Sequence, residues 1–326
     1  MLGKDRQEIF TDKWQYRELP KTKERSDKLD YSHMAAIGSC FARNLYRWLN
    51  FRGYANREAP WGILYNPFSI QKEIERLYSP VEWEQNILME VSNDGEERVR
   101  DPWRTWHVFS TTEELKEANQ KFDRLTRGFL ENSNGFLITL GLSEVWSRAD
   151  RPEVVFNQVP IGSIRRRQRS LTSRFSSVLE AYEALEKTVN LIREHITQSR
   201  HIIFTLSPVP LKYTASGIDI REANNLSKAT LLVALKELIA NRSDVDYFPS
   251  YEIVQALAEQ PNNTVWQVDG RHVSAQVVEV VATKFIETYG KPEGKDNVEK
   301  FWVPRVDEAG RIVGKLYVDG TYVIDQ

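Results

Sequence analysis

The sequence predicts an α/β protein on a mostly parallel sheet, and three observations carry that expectation. Short, continuous apolar runs recur at 34–37, 136–140, 202–206 and 245–248, the length of strands buried on both faces. Each run ends at Gly, Ser or Pro, residues that interrupt a strand. Between the runs lie segments whose apolar residues repeat every three or four positions, and such alternation of buried strand and amphipathic helix gives a sheet covered on both faces.

In chain order, residues 1–33 form a polar, charged lead-in with Phe10, Trp14 and Tyr16 as its anchors. The run at 34–37 leads into a helix with Phe41, Leu45, Trp48 and Leu49 on one face. Val178, Tyr182, Leu185, Val189, Ile192 and Ile196 mark a long helix before the run at 202–206. Leu231, Leu232, Leu235, Leu238 and Ile239 mark the next, and Val277, Val278, Val281 and Phe285 the last. Together these make one α/β domain over about residues 34–290. The stretch 291–326 begins as a charged Gly/Pro linker and ends in alternating residues around Asp319-Gly320, a hairpin dipeptide. This small C-terminal β appendage could pack on the domain or join copies into a homo-oligomer, and the pattern leaves both open.

Composition narrows the function. The 326 residues carry 44 Lys+Arg against 46 Asp+Glu, a formal charge of -2, so no global basic field draws nucleic acid. A single cysteine forms neither an intramolecular disulfide nor a Cys-rich zinc site, which suits a reducing compartment. The N-terminus lacks the apolar core of a signal peptide, and no apolar run reaches the roughly 18 residues of a membrane span. The expectation is a soluble, cytoplasmic protein. The histidines are scattered and no carboxylate pair has ligand spacing, so no metal or cofactor is expected.

In an open α/β sheet, ligands bind beyond the carboxyl ends of the strands. Gly38-Ser39-Cys40 follows the first run and opens into a helix. A nucleophile there gains from the helix N-terminus, though small residues also simply permit a sharp turn. Gly141-Leu142-Ser143-Glu144 follows the second run and Ser207-Pro208-Val209-Pro210 the third. Asp269-Gly270-Arg271-His272 precedes the last helix, and an Asp three residues before a His can orient the ring as a general base. Among the other histidines, His195 reads as surface and His201 as structural, while His33 and His107 are weaker ligand candidates. Trp61, Trp103, Trp106 and Trp146 fall in or beside loops, where indoles suit sugar rings but also serve packing. The cluster Arg165-Arg166-Arg167-Gln168-Arg169 reads as a solvated loop with some capacity for anions.

At these residues the sequence resembles a known family. Gly38-Ser39-Cys40-Phe41-Ala42 is the motif of the GSCFA domain family, which is similar to the SGNH/GDSL hydrolase superfamily. Further blocks follow in family order at 61–70, 138–146, 204–211, 244–253 and 269–272, so the resemblance covers about residues 34–290. It implies a flavodoxin-like three-layer αβα sandwich and a triad drawn from the first and last blocks. It also implies an oxyanion hole from the nucleophile's N–H, a Gly in the second block (Trp61 and Gly62 to Asn66) and an Asn in the third (Gly141 to Glu144). Ser143 or Glu144 stands where that Asn is expected, so Asn66 or backbone donors would have to serve, since a Glu repels an oxyanion. An ungapped match to Gly-Asp-Ser-Leu puts Cys40, not Ser39, at the nucleophile position, with Arg43-Asn44 matching a following Arg-Asn.

The resulting expectation is an ester hydrolase on an O-acylated, carbohydrate-like substrate. Cys40 or Ser39 would attack, His272 shuttle the proton, Asp269 orient His272, and Gly62, Asn66, Gly141, Ser143 or Glu144 line the oxyanion and substrate site with Trp61 and Trp146. A sugar hydroxyl in place of water would make it a polysaccharide O-acyltransferase. The rival expectation is a non-catalytic carbohydrate-binding or scaffold protein on the same fold.

Overall fold

A computed structural model describes residues 19–20, 22, 29–55, 60–79, 84–91, 95–157, 171–196, 201–260, 264–290 and 301–324. Phe10, Trp14 and Tyr16, the arginine cluster at 165–169 and the linker at 291–300 lie outside the described residues.

Strand β1 (Met34–Gly38) is buried throughout and passes through Ser39 into helix α1 (Cys40–Phe51). Helix α2 (Pro67–Tyr78) starts at an Asn66 cap followed by proline, whose fixed φ suits a first turn. Strands β2 (Leu88–Val91), β3 (Glu97–Arg100) and β4 (Val108–Phe109) form a small antiparallel sheet ahead of helix α3 (Thr112–Glu131). Strand β5 (Gly135–Leu140) returns to the core, and β6 (Glu144–Arg148), β7 (Arg151–Phe156) and β8 (Leu171–Phe175) form a second antiparallel sheet. Then come α4 (Val178–His195), β9 (His201–Leu206), α5 (Ile220–Asn241), β10 (Asp246–Tyr247), α6 (Ser250–Ala258) and α7 (Ala275–Tyr289). Strands β11 (Trp302–Val306), β12 (Ile312–Tyr317) and β13 (Tyr322–Ile324) end the described chain as an antiparallel meander.

The central sheet has the order β1-β5-β9-β10 with every pairing parallel, so the four apolar runs of the sequence are its four strands. Alternation along each strand divides the core in two. Met34, Ala36, Leu137 and Ile203 face the cluster filled by α1, α6 and α7, while Ala35, Ile37, Ile138 and Phe204 face that filled by α2, α4 and α5. The result is helix, sheet and helix layers. Each fully buried Leu, Ile or Phe in them contributes about 1.5–3 kcal/mol relative to exposure, which is why the sheet survives at four strands.

Both side sheets lack an apolar run. Strand β3 reads Glu-Arg-Val-Arg and β8 reads Leu-Thr-Ser-Arg-Phe, partly exposed, so periodicity alone shows neither. Helix α3 is equally quiet, because two of its four buried residues, Asn119 and Thr126, are polar. Ser143-Glu144, expected in a loop, leads straight into β6, where Glu144 pairs with Phe175.

The appendage packs on the main domain. Phe301, Val303 and Val306 are buried, and the Phe301 ring lies 5.7 Å from that of Phe51. Gln267 fixes the first strand twice, donating to the Pro304 carbonyl at 3.0 Å and accepting from the Val306 N–H at 3.0 Å. No helix among the described residues is long and apolar enough to cross a membrane.

Candidate active site

The register of the central sheet brings three strand ends together: Gly38 pairs with Thr139, and Thr139 with Thr205. Ser39, Gly141 and Ser207 therefore emerge side by side and line a cleft of about 950 Å³ with Cys40, Arg43, Gly62, Tyr65, Trp106, Lys212, Arg271 and His272.

Gly38 makes the turn possible. Its φ is +132°, and a Cβ there would sit 2.1 Å from the Thr139 carbonyl oxygen, so no other residue fits. Ser39 is buried and caps α1, its Oγ accepting from the Phe41 N–H at 3.3 Å. Cys40 is the first residue of the helix, where its N–H has no intrahelical acceptor. The residue is half-buried, yet its thiol sits deep enough that burial raises its pKa, against the pull of Arg271, Arg43, Lys228 and the Phe41 N–H. It therefore rests as a thiol that a base must deprotonate.

His272 and Asp269 form the expected pair. Asp269 Oδ2 lies 2.6 Å from His272 Nδ1, and its other oxygen accepts the N–H groups of Arg271 at 3.1 Å and His272 at 3.0 Å. Burial alone would raise the Asp269 pKa, but these hydrogen bonds hold it below its usual value, so it stays an acceptor. The pair occupies the turn of a small hairpin, closed by a bridge between Trp266 and Val273 and by Gly270 at φ +67°, just ahead of the Ser274 cap of α7. Nδ1 of His272 is engaged by Asp269, and its Nε2 has no hydrogen-bond partner among the described residues. No hydrogen bond among these residues joins His272 to Ser39 or Cys40; the three share one cleft.

Several expected oxyanion and substrate residues are engaged elsewhere. Asn66 is buried as the α2 cap, its Oδ1 accepting from Ser69 at 2.8 Å and its Nδ2 donating to the Phe156 carbonyl at 2.9 Å, so its amide does not serve the cleft. The Gly141 N–H donates to the Tyr65 carbonyl at 2.9 Å, so Gly141 shapes the cleft wall without offering a donor. Ser143 is fully buried, with its N–H on Ser227 Oγ at 2.6 Å. Glu144 is buried and accepts from the Ala215 N–H at 2.8 Å, away from the cleft. The Cys40 and Gly62 N–H groups have no acceptor among the described residues.

The tryptophans divide similarly. Trp61 is buried and donates to the Ala36 carbonyl at 2.7 Å, while Trp146 and Trp103 pack with Phe156 in a separate core. Only Trp106 of the four lines the cleft, packed so closely on Gly62 that a Cβ there would meet its ring at 2.3 Å. Behind it, Arg104 binds Glu73 at 2.8 Å and Arg76 binds Asp101 at 2.8 Å, a buried network that anchors the loop carrying Trp106. Asn157 braces the Gly62 loop from below, donating to the Ile63 carbonyl at 2.8 Å and accepting from the Tyr65 N–H at 3.1 Å.

Among the remaining histidines, His33 is exposed, His107 is held by Asn119 at 2.7 Å in an aromatic cluster, and neither lines the cleft. His195 stacks on Tyr78 at 4.3 Å instead of standing in solvent, and His201 is buried at the start of β9.

Lys228 is the residue that reading the sequence overlooks. It projects from α5 into the core beneath Cys40, its Nζ donating to the Gly141 carbonyl at 2.9 Å and the Val209 carbonyl at 3.1 Å. Burial depresses its pKa to about 7, the neighbouring Cys40 resisting and Arg271 assisting. The signal was present: Lys228 lies three residues before Leu231 and seven before Leu235, on the buried stripe of its helix. Tyr65 likewise lines the cleft, and burial, helped by Cys40 and Tyr213, keeps its phenol protonated as a donor.

An α/β sandwich with a small-residue turn at a helix N-terminus facing an Asp-His pair across a cleft defines the class of protein. A family model described as the GSCFA family matches residues 33–285, and the chain belongs to that family. A search of curated proteins and a search of solved structures each return no match.

Proposed function

We propose that the cleft carries out acyl-transfer chemistry on an ester, as a hydrolase with water as acceptor or an O-acyltransferase with a sugar hydroxyl. The observation that carries this reading is the 2.6 Å Asp269–His272 contact on the same cleft as Cys40 and Ser39. The resemblance to SGNH hydrolases belongs to this reading as well, because it pairs the same two blocks.

In the reaction, His272 Nε2 takes the proton of the attacking thiol or hydroxyl as the new bond forms to the ester carbonyl carbon. It acts through a water or after a side-chain shift, since no direct hydrogen bond joins it to the nucleophile. The oxyanion is received by the Cys40 and Gly62 N–H groups, with the Tyr65 hydroxyl as a further donor. Collapse breaks the ester C–O bond, and the alcohol leaves with the proton from His272. Water or an acceptor hydroxyl then attacks the acyl-enzyme, again losing its proton to His272, and releases the nucleophile. Cys40 is the favoured nucleophile because the Ser39 oxygen already caps the helix, while the thiol lies near Arg43 and Arg271, whose charges favour its anion against the effect of burial.

Turnover of p-nitrophenyl acetate and of acetylated oligosaccharides by the parent, Cys40→Ala, Ser39→Ala and His272→Ala tests the reading. Loss in His272→Ala and in one nucleophile variant is expected. Equal turnover by all of them sinks it. A protein that binds acetylated glycans but turns over no ester would instead support the carbohydrate-binding alternative, for which Trp106 is the sole cleft indole among the described residues.

A further inference from the structure

The described cleft lining contains Arg43, Lys212 and Arg271 besides His272, and no aspartate or glutamate. The chain as a whole is close to neutral, with a formal charge of -2, so this lining is basic where the overall composition is not. Arg43 is exposed and has no acidic partner among the described residues. Lys212 donates to the Ala309 carbonyl at 2.7 Å, a neutral acceptor. Arg271 is held by the Pro210 carbonyl through Nε at 3.2 Å and Nη2 at 3.1 Å, and its nearest carboxylate oxygen, on Asp269, is 4.0 Å from Nη1 and already engaged by His272.

Arg43 and Arg271 both act electrostatically on Cys40 and on Tyr65, so their charges converge on the floor of the cleft. Like charges gathered in a concave site destabilise one another, and an anion between them relieves the repulsion. Two guanidinium groups, one pinned by a carbonyl at its back, suit the planar geometry of an oxyacid better than ammonium groups do.

We infer that the substrate is anionic, and that Arg43 and Arg271, with Lys212 at the rim, bind a carboxylate, phosphate or sulfate group on a part of the substrate other than the ester being cleaved. The wall is completed from outside the family-matched residues. Gly310, in the turn between β11 and β12, lines the same cleft, and the hydrogen bond from Lys212 ties that turn to the loop after β9. This inference deepens the acyl-transfer reading by naming its substrate class, and its binding test does not depend on turnover.

The test is calorimetric titration of the full chain with inorganic phosphate, sulfate and succinate at constant ionic strength, alongside Cys40→Ala, Arg43→Gln and Arg271→Gln. Saturable binding of at least one anion is expected in the parent and in Cys40→Ala, weakened by roughly tenfold or more in Arg43→Gln. Arg43 is exposed, so its variant folds even if Arg271→Gln does not. Preference for phosphate, sulfate or succinate identifies the anionic group. No saturable binding, or equal binding in the arginine variants, overturns the inference. In a parallel assay, p-nitrophenyl hemisuccinate should be cleaved with a lower KM than p-nitrophenyl acetate, a difference lost in Arg43→Gln. Cleavage of the neutral ester with no anion binding overturns the anionic substrate and leaves acyl transfer standing; anion binding with no ester cleavage does the reverse.

Discussion

Replacing Lys228 with Met tests the buried amine through stability and pH. The amine has an ordinary pKa of 10.5 and is pushed down to about 7 in the folded chain. Between those values the unfolded chain binds the proton and the folded chain does not, so this residue makes stability rise with pH. From about pH 7 to about pH 8.5 the folded group's titration integrates to roughly 1.6 kcal/mol, approaching about 1.4 kcal/mol per pH unit above that. Cys40 acts in the opposite sense: its raised folded pKa gives stability that is lost as pH passes the unfolded thiol value of 9.0, and stopping at about pH 8.5 keeps this to about 0.2 kcal/mol. Urea unfolding of the parent and of Lys228→Met across that range should give a difference in stability that shifts by roughly 1.6 kcal/mol in the parent's favour as pH rises. Met also leaves the Gly141 and Val209 carbonyls without their donor, at about 1–3 kcal/mol each, but that loss does not vary with pH. Parallel pH profiles for the two proteins would show that Lys228 is not neutralised in the fold, and the assignment would be withdrawn.

Three further perturbations follow from the same geometry. Gly38→Ala puts a methyl 2.1 Å from the Thr139 carbonyl, so both melting temperature and ester turnover should fall together, and an unchanged melting temperature would contradict the account of the turn. Glu73→Ala leaves the Arg104 guanidinium buried without its main carboxylate and should cost about 3–5 kcal/mol by chemical denaturation, against less than about 1 kcal/mol for the exposed Arg174–Glu180 pair. Asp269→Asn should keep the cleft geometry but lower ester turnover by roughly a thousandfold or more through the wrong imidazole tautomer, with stability measured in parallel to separate the two effects.

Strands β1, β5 and β9 were legible because burial on both faces forces continuous apolar sequence, β10 because the half-buried pair Asp246–Tyr247 is flanked by buried Val245 and Phe248, and the helices with long apolar stripes because one face of each is buried. The side sheets and α3 were not, since β3 and β8 are largely half-buried or exposed and the buried face of α3 includes Asn119, whose partners Asp101 and Arg104 come from another segment. Trp61 and Trp146 show the same limit at the site. A loop indole can face a cleft or a core, and here the Ala36 carbonyl and the Phe156 cluster claim them.

By itself the sequence determined the α/β class, the small-residue turn at Gly38-Ser39-Cys40 and the Asp269–His272 spacing, because burial, a strand-to-helix turn and a local hydrogen bond are all short-range demands on residue type. Only the tertiary structure decided which polar groups face the cleft. Asn66, Ser143 and Glu144 have the right chemistry for a site, yet each meets its hydrogen-bond partners in the interior, as Lys228 does beneath Cys40, whereas Arg271 reaches the cleft from a segment distant in sequence from Cys40. A hydrogen-bonding group can satisfy either the fold or a ligand, and that allocation depends on neighbours brought together by packing rather than on the chain's local order.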